Sequence, residues 1–340
     1  MNNCLTIIVP TYNRCGDLRV LLNRLACEIG ELSNRIQVII GNNASSDNTD
    51  EVVQEFIARF HNIIYTKNSL NIGPDENFCK CIELVTSEYF WIIGDDDLPK
   101  FGVIKLLELL LVSQQPDFVY LNNRWVEKPE NSVFDTSVKE LAGYKMRRRD
   151  FARKVNIWFT FISSCVVRTS HARSIEIRKY CETNLVQLAW VYESIIKGDN
   201  FIFIETESVL ARSGNTGGYS VVKVFFENFP AITSEMFGAT KDLREIGCGI
   251  QNRANVSYLP NLIRGYRSNK LGEFNLNESI PCLKISSNSV VIRMLLSNAL
   301  LSQSKLMIFL SHTMLRCFFI TTIGFDRIRN LAHRHSRIRI

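Results

Sequence analysis

Hydrophobic residues in the first 125 positions alternate between two rhythms. Leu5-Thr6-Ile7-Ile8-Val9 is a short apolar run cut by Pro10, and Leu18, Leu21, Leu22, Leu25 and Ile29 then recur at helical spacing behind a candidate cap at Asp17. Residues 36–40 form a second run that ends in the polar loop 41–46. Val52, Val53, Phe56, Ile57 and Phe60 follow as one face of a second helix, with Asp47 or Asn48 placed to cap it. Ile63-Ile64-Tyr65 predicts a third strand, Pro74 opens a third helix bearing Phe78, Ile82 and Val85, and 89–93 predicts a fourth strand. Strands alternating with helices in this way predict βαβ units, hence an α/β fold with a mainly parallel sheet flanked by helices.

Such sheets bind ligands at the carboxyl ends of their strands. The polar insertions fall there: Thr11-Tyr12-Asn13 after the first strand, Asn42-Asn43 after the second, and Asp95-Asp96-Asp97 after the fourth. A carboxylate cluster directly behind Tyr89-Phe90-Trp91-Ile92-Ile93-Gly94 cannot share that strand's core, so it faces a cleft, water or a metal. Like charges this close repel, and a divalent cation is the simplest agent that holds them together.

Beyond about residue 130 the pattern changes: 159–167 and 201–204 predict strands among irregular stretches, and beyond about residue 225 the chain reads as mostly helical. The 340 residues, 46% hydrophobic and 22% charged, fit one large domain or a domain with a smaller appendage. The net charge of +6 is unevenly placed, with Lys145, Arg147, Arg148, Arg149, Arg153 and Lys154 in one cluster and Arg327, Arg329, Arg334, Arg337 and Arg339 in another. Phosphate-bearing ligands and acidic headgroups suit such clusters, as does a solvated basic face. Nucleic acid is not an expected partner, because the clusters lack interleaved aromatics or a helix-turn-helix pattern. Ten scattered cysteines, at 4, 15, 27, 79, 81, 165, 181, 248, 282 and 317, match no common zinc spacing and read as free thiols. With no basic segment leading a long apolar stretch at the N-terminus, the chain is expected in the cytoplasm.

These residues resemble the inverting family-2 glycosyltransferases of GT-A (Rossmann-like) fold. The resemblance rests on Thr6-Ile7-Ile8-Val9-Pro10-Thr11-Tyr12-Asn13-Arg14, Ile39-Ile40-Gly41-Asn42-Asn43-Ala44-Ser45-Ser46-Asp47-Asn48-Thr49, Asn71-Ile72-Gly73 leading to Asn77, and Gly94-Asp95-Asp96-Asp97, in family order and spacing. Within the family they look most like bacterial transferases that add deoxyhexoses such as abequose to O-antigen units. The resemblance implies a glycosyltransferase domain at 1–220, with a nucleotide-sugar half at 1–125 and an acceptor half at 126–220, followed by a helical region at 221–340. It implies a nucleotide-diphosphate sugar donor held by Pro10, Thr11, Tyr12, Asn13, Asn42, Asn43, Asn71, Gly73, Asn77, Asp95 and Arg212. It also implies Mg²⁺ or Mn²⁺ on Asp95, Asp96 and Asp97, neutralising the departing diphosphate. Asn43 stands where many members carry aspartate, which leaves the base open, since an amide both donates and accepts. Glu76 stands where relatives often have arginine near the pyrophosphate, and Lys80, one turn later, is the candidate substitute.

Inversion requires a general base. The family's usual Glu-Asp pair is not evident between residues 170 and 200, so Glu182 is the candidate general base, with Glu193 behind it, or else a helix-capping or surface acid; Asp97 is the other candidate catalytic residue. Arg212, before the glycines at 214, 217 and 218, reads as a phosphate or acceptor contact or as a surface arginine. Residues 306–325 are rich in apolar side chains, but His312 and Arg316 interrupt them. Centring an arginine in a bilayer costs ~2.5–3.5 kcal/mol, which disfavours a spanning helix. Two readings stay open: an interfacial helix with a basic tail contacting the inner membrane, where a polyprenyl-diphosphate-linked oligosaccharide would be the acceptor, or a core helix with a disordered basic tail. A catalytically degenerate nucleotide-sugar-binding relative is the alternative function. A nucleotidyltransferase fits less well, because Pro10-Thr11-Tyr12-Asn13 is not a glycine-rich basic loop.

Overall fold

The structure, a computed structural model, describes residues 4–32, 34–60, 62–132, 137–214, 218–221, 223–267, 289–332 and 336–340. The chain opens β1 (Leu5–Thr11), α1 (Cys15–Ile29), β2 (Ile36–Asn42), α2 (Thr49–Ile57), β3 (Ile63–Lys67), α3 (Pro74–Glu83) and β4 (Tyr89–Ile92). It continues with β5 (Leu98–Pro99), α4 (Val103–Gln114), β6 (Phe118–Val126), β7 (Ala142–Met146), α5 (Arg148–Val155), β8 (Cys165–Arg168) and α6 (Thr169–Ala172). The remainder is α7 (Gln187–Lys197), β9 (Phe201–Arg212), α8 (Phe229–Met236), α9 (Lys241–Ser257), α10 (Leu259–Arg267), α11 (Val290–Leu301), α12 (Lys305–Ala332) and β10 (Ser336–Arg339).

By contacts the chain divides into two units: Met1–Arg148 with Phe159–Ser213 and Ser336–Ile340, and Arg149–Trp158 with Gly214–His335. The first carries one sheet in the order β10-β7-β9-β6-β8-β4-β1-β2-β3, with β5 on β9. The parallel block expected from the βαβ rhythm is present: β4, β1, β2 and β3 pair side by side in one sense. β8 then enters antiparallel between β4 and β6, so β6 and its parallel neighbour β9 run the same way as β4. Leu18, Leu21, Leu22 and Leu25 of α1 and Val52, Val53 and Phe56 of α2 bury their predicted faces against Leu5, Ile7, Val9, Val38 and Ile40. On the other face α3 lies so close to β2 that a Cβ on Gly41 would sit 2.2 Å from Cys81 Sγ, which requires glycine there.

Three local expectations are corrected. α1 begins at Cys15, so Asp17 lies in its first turn rather than capping it; the backbone N–H of Cys15 is instead taken by Asp47 Oδ2, whose other oxygen accepts from Thr49 at the start of α2. One aspartate thus caps two helices, and those two N–H bonds with the Thr49 hydroxyl hold its carboxyl below the usual range, although burial works against them. The strand expected over 159–167 is only Cys165–Arg168, preceded by tight turns, because Trp91 Nε1 clamps the carbonyl of Ser163 at 2.8 Å. The tail ends not as disordered chain but as β10, antiparallel to β7, with Arg337 opposite Tyr144.

In the second unit α9 is capped by Thr240, whose hydroxyl accepts from Leu243 N–H, and Trp158 and Phe225 pack their rings against Tyr258. No helix among the described residues is long and apolar enough to cross a membrane. Side chains of 321–335 lie outside what is described, including Arg327, Arg329 and Arg334, as do Gly217 and Cys282. Among the described residues Cys4, Cys15, Cys27, Cys79, Cys81, Cys165 and Cys181 are free thiols.

Candidate active site

Register brings the site together. Thr11 pairs with Asn42 at the carboxyl ends of β1 and β2, and Ile8 pairs with Ile92 of β4, so three further steps place Asp95 beside Thr11. The Thr11 hydroxyl indeed donates to Asp95 Oδ2 at 2.8 Å. β9 runs parallel to that block, so its carboxyl end, Arg212, arrives at the same edge, and its backbone N–H donates to Asp97 Oδ1 at 2.9 Å. β8 runs the other way, so the residues that precede it arrive there too: the Ser163 hydroxyl donates to Asp97 Oδ2 at 2.6 Å and accepts from Gly94 N–H at 2.9 Å.

The three aspartates have different roles. All are buried, at 4%, 8% and 5% exposure, and burial raises the proton affinity of each, to about 6 for Asp95 and about 7 for Asp97. Arg14 offsets this for the first two: its Nη1 lies 3.0 Å from Asp95 Oδ1 and 3.3 Å from Asp96 Oδ2. Asp97 is held by Ser163 and by the Arg212 backbone, so it ties the loop to β8 and β9. The Arg212 side chain turns to Asp17 at 2.7 Å and Glu130 at 3.2 Å. Four carboxylates therefore pair with two guanidiniums, leaving a negative, cation-attracting mouth.

Among the described residues no group of three or more His, Cys, Asp or Glu is arranged to hold a metal by itself. Asp95 and Asp96 nevertheless fit one, because Mg²⁺-like ions take one or two carboxylates and complete their shell with phosphate oxygens and water. Asp97, with both oxygens engaged, supports that pair from behind.

The asparagines form a network of their own. Asn43 Nδ2 donates to Asn71 Oδ1 (2.8 Å) and to the Gly73 carbonyl (3.1 Å), while its Oδ1 accepts from Asn68 Nδ2 and from Ile72 N–H, both at 3.0 Å. That uses its two donors and both lone pairs. Asn77 joins through Asn68 and the Gly41 carbonyl, and Lys80 donates to Asn68 Oδ1. Asn42 donates to Asp50 and to Tyr65 and accepts from Ser45 N–H. Asn13, at φ +52°, accepts from Ser46 N–H. The amides thus shape the two loops, while Tyr12, 44% exposed beside Thr11 and partly buried Pro10, presents a free aromatic face. Glu76 pairs with Arg178 at 3.3 Å.

Glu182 sits exposed at φ +67° in a turn that wraps Asp75: backbone N–H groups of 182, 183, 184 and 186 point to that carboxyl, with Asn184 N at 2.8 Å. Its side chain makes no hydrogen bond or ion pair with the aspartate loop among the described residues. Glu193 pairs with Lys197. Burial lifts Asp75 to about 6 despite those donors. Between the ordinary aspartate value near 4 and that value the folded state holds more protons than the unfolded one, so Asp75's contribution to stability falls as pH rises through this window. Thermal unfolding at about pH 4.5 and pH 7 should therefore show wild type losing ground to Asp75→Asn as pH rises. A pH-independent gap would contradict it.

Sequence reading missed Arg14's bridge, Ser163, Asp17, Glu130 and Asn68. Arg14 stood inside a quoted motif and only its role was lacking, whereas Ser163 carried no local signal, since its position follows from the antiparallel sense of β8.

The model of the family described as glycosyl transferase family 2 matches residues 6–175, half of the chain. The abequosyltransferase RfbV of Salmonella typhimurium is 35% identical over 121 residues, 35% of this chain and 35% of its own length. The chain spans about a third of the length of the curated relatives it matches. TarS of S. aureus in complex with UDP-GlcNAc superposes at a TM-score of 0.60 and 14% identity over 94% of this chain and 92% of that one. A mannosyltransferase from Pyrobaculum calidifontis in complex with GDP-Man and Mn²⁺ gives 0.50 and 13% over 97% and 88%. These likenesses show the GT-A fold. With the motif loops gathered at one sheet edge and the family model spanning them, the chain belongs to glycosyl transferase family 2.

Proposed function

We propose that the protein transfers a sugar, with inversion, from a nucleoside-diphosphate sugar to a lipid-linked saccharide in assembly of a bacterial surface polysaccharide of O-antigen type. The observation that carries this is the pair Asp95–Asp96, buried at the carboxyl edge beside Thr11 and Tyr12 and bridged by Arg14. Mg²⁺ or Mn²⁺ shared between that pair and the diphosphate would supply positive charge for the leaving group. Tyr12 offers a stacking face for the base, Arg212 and Asp17 frame the other side, and the asparagine network fixes both loops. The abequosyltransferase likeness supports a deoxyhexose donor.

For the proton acceptor the candidates are Glu182, on its exposed turn, and Asp97, whose proton affinity burial raises to about 7 and whose oxygens accept from Ser163 and the Arg212 backbone. Full turnover in Glu182→Gln would leave the role to Asp97.

Contact with an anionic membrane, at its cytoplasmic face, is supported by α11 and α12. They carry ten of the seventeen large apolar side chains exposed among the described residues, including Met294, Leu306, Phe309 and Ile320. No acidic residue occurs between Glu278 and Asp326, while Arg293, Lys305 and Arg316 do. The test is one assay: UDP-, dTDP-, CDP- and GDP-sugars with Mn²⁺ and lipid-linked acceptor in anionic vesicles. Transfer with inverted anomeric configuration is expected; donor binding without turnover would favour a degenerate relative, and neither from folded protein would overturn the reading.

A further inference from the structure

We propose that Arg14 is a built-in competitor of the divalent cation: it holds Asp95 and Asp96 until a metal–diphosphate complex arrives, then yields both carboxylates and takes the diphosphate. The inference rests on the donor reading above. One guanidinium nitrogen bridges both carboxylates, and these are the oxygens a cation would need. The Arg14 side chain is 35% exposed while those of Asp95 and Asp96 are 5% and 9%, so the guanidinium covers the carboxylates from the solvent side.

Its backbone does not need to move for the exchange. Arg14 stands at the N-terminal boundary of α1, and its neighbour Asn13 is pinned by N–H to Ser45 Oγ at 2.9 Å and by Oδ1 to Ser46 N–H at 2.7 Å. The long side chain can pivot about this fixed base. A guanidinium released at the mouth meets two phosphate groups, which it binds in bidentate fashion better than an ammonium does. The charge at the aspartates stays compensated throughout, first by the arginine and then by the metal. Without diphosphate the exchange has less to offer, because the metal would gain two carboxylates while the arginine gave up its two ion pairs and kept only the weaker attraction of Asp17. Metal and nucleotide should therefore bind cooperatively.

The test uses the full chain and the variants Arg14→Met and Arg14→Lys. Mn²⁺ alone is titrated by calorimetry or by its paramagnetic resonance signal, and nucleoside diphosphates (UDP, CDP, GDP and dTDP) are titrated at saturating Mn²⁺. The expected pattern is opposite in sign: Arg14→Met binds Mn²⁺ alone about tenfold or more tighter than wild type, and the nucleotide about tenfold or more weaker. Arg14→Lys, which keeps the charge but loses the fork, falls between on both counts and serves where the methionine variant does not fold. A merely structural arginine would weaken both affinities together, and that result, or unchanged Mn²⁺ binding in a variant that still binds nucleotide, overturns the proposal. Nucleotide binding by wild type that is indifferent to Mn²⁺ overturns the metal reading as well.

Discussion

Asp96→Asn is expected to lower sugar transfer about 10²- to 10³-fold while leaving the unfolding temperature close to that of wild type. The size follows from what changes: asparagine keeps an oxygen toward Arg14 at nearly the same place but carries no charge, and in the proposed reaction that charge would balance a cation on the leaving diphosphate. The intact fold follows from the neighbours. Asp96 raises the proton affinity of both Asp95 and Asp97 by repulsion, so removing its charge relieves two buried carboxyls rather than orphaning a buried donor. Measured turnover with a matched thermal melt checks this. A loss below tenfold would remove Asp96 from the site, and a large drop in melting temperature would make it structural.

The parallel half of the sheet was legible because it is written locally. Each of β1 to β4 is an apolar run of strand length and each of α1 to α3 has one apolar face, so the period alone orders them. The three loops at its edge followed from that order. What was not legible is the contribution of chain far away. Arg212 meets Asp97 across 115 positions, and Ser163 meets it across 66, only because β9 runs with β4 and β8 runs against it. No periodicity in 159–167 announces the sense of a strand, and the same apolar run hid the turn that carries Ser163. β10 was hidden for a related reason: Ser336–Arg339 alternates too briefly, and its pairing with β7 is a property of the sheet's free edge.

The asparagine motif shows the complementary limit. Sequence order places Asn42 and Asn43 at the strand ends, and Asn71 and Asn77 enter only through the resemblance; residue type alone suggests ligand contact, and the hydrogen bonds show that Asn43 spends its capacity on the 68–73 loop. A binding loop must first be rigid, and buried amides achieve this where an aspartate would leave Asn71 and Gly73 oxygens facing another anion. The asparagine at position 43 therefore follows from its neighbours in this chain as much as from any base it recognises.

Ser163→Ala should cost more stability than its size suggests and should shift the pH dependence of transfer. Ser163 has no exposed surface, and its hydroxyl serves two buried groups at once, accepting from Gly94 N–H and donating to Asp97. Alanine leaves both without that partner, at roughly 1–3 kcal/mol each in a site closed to water. For a domain of this size that lowers the melting temperature by roughly 5–15 °C. The pH effect has a definite sign. The Ser163 bond lowers Asp97's proton affinity against the burial that raises it, so removing the bond raises that affinity further. Any step that requires ionised Asp97 then loses its acid limb at higher pH than in wild type. A melting temperature within about 2 °C of wild type, or a pH–rate profile that does not move toward higher pH, would show that the loop is held without Ser163.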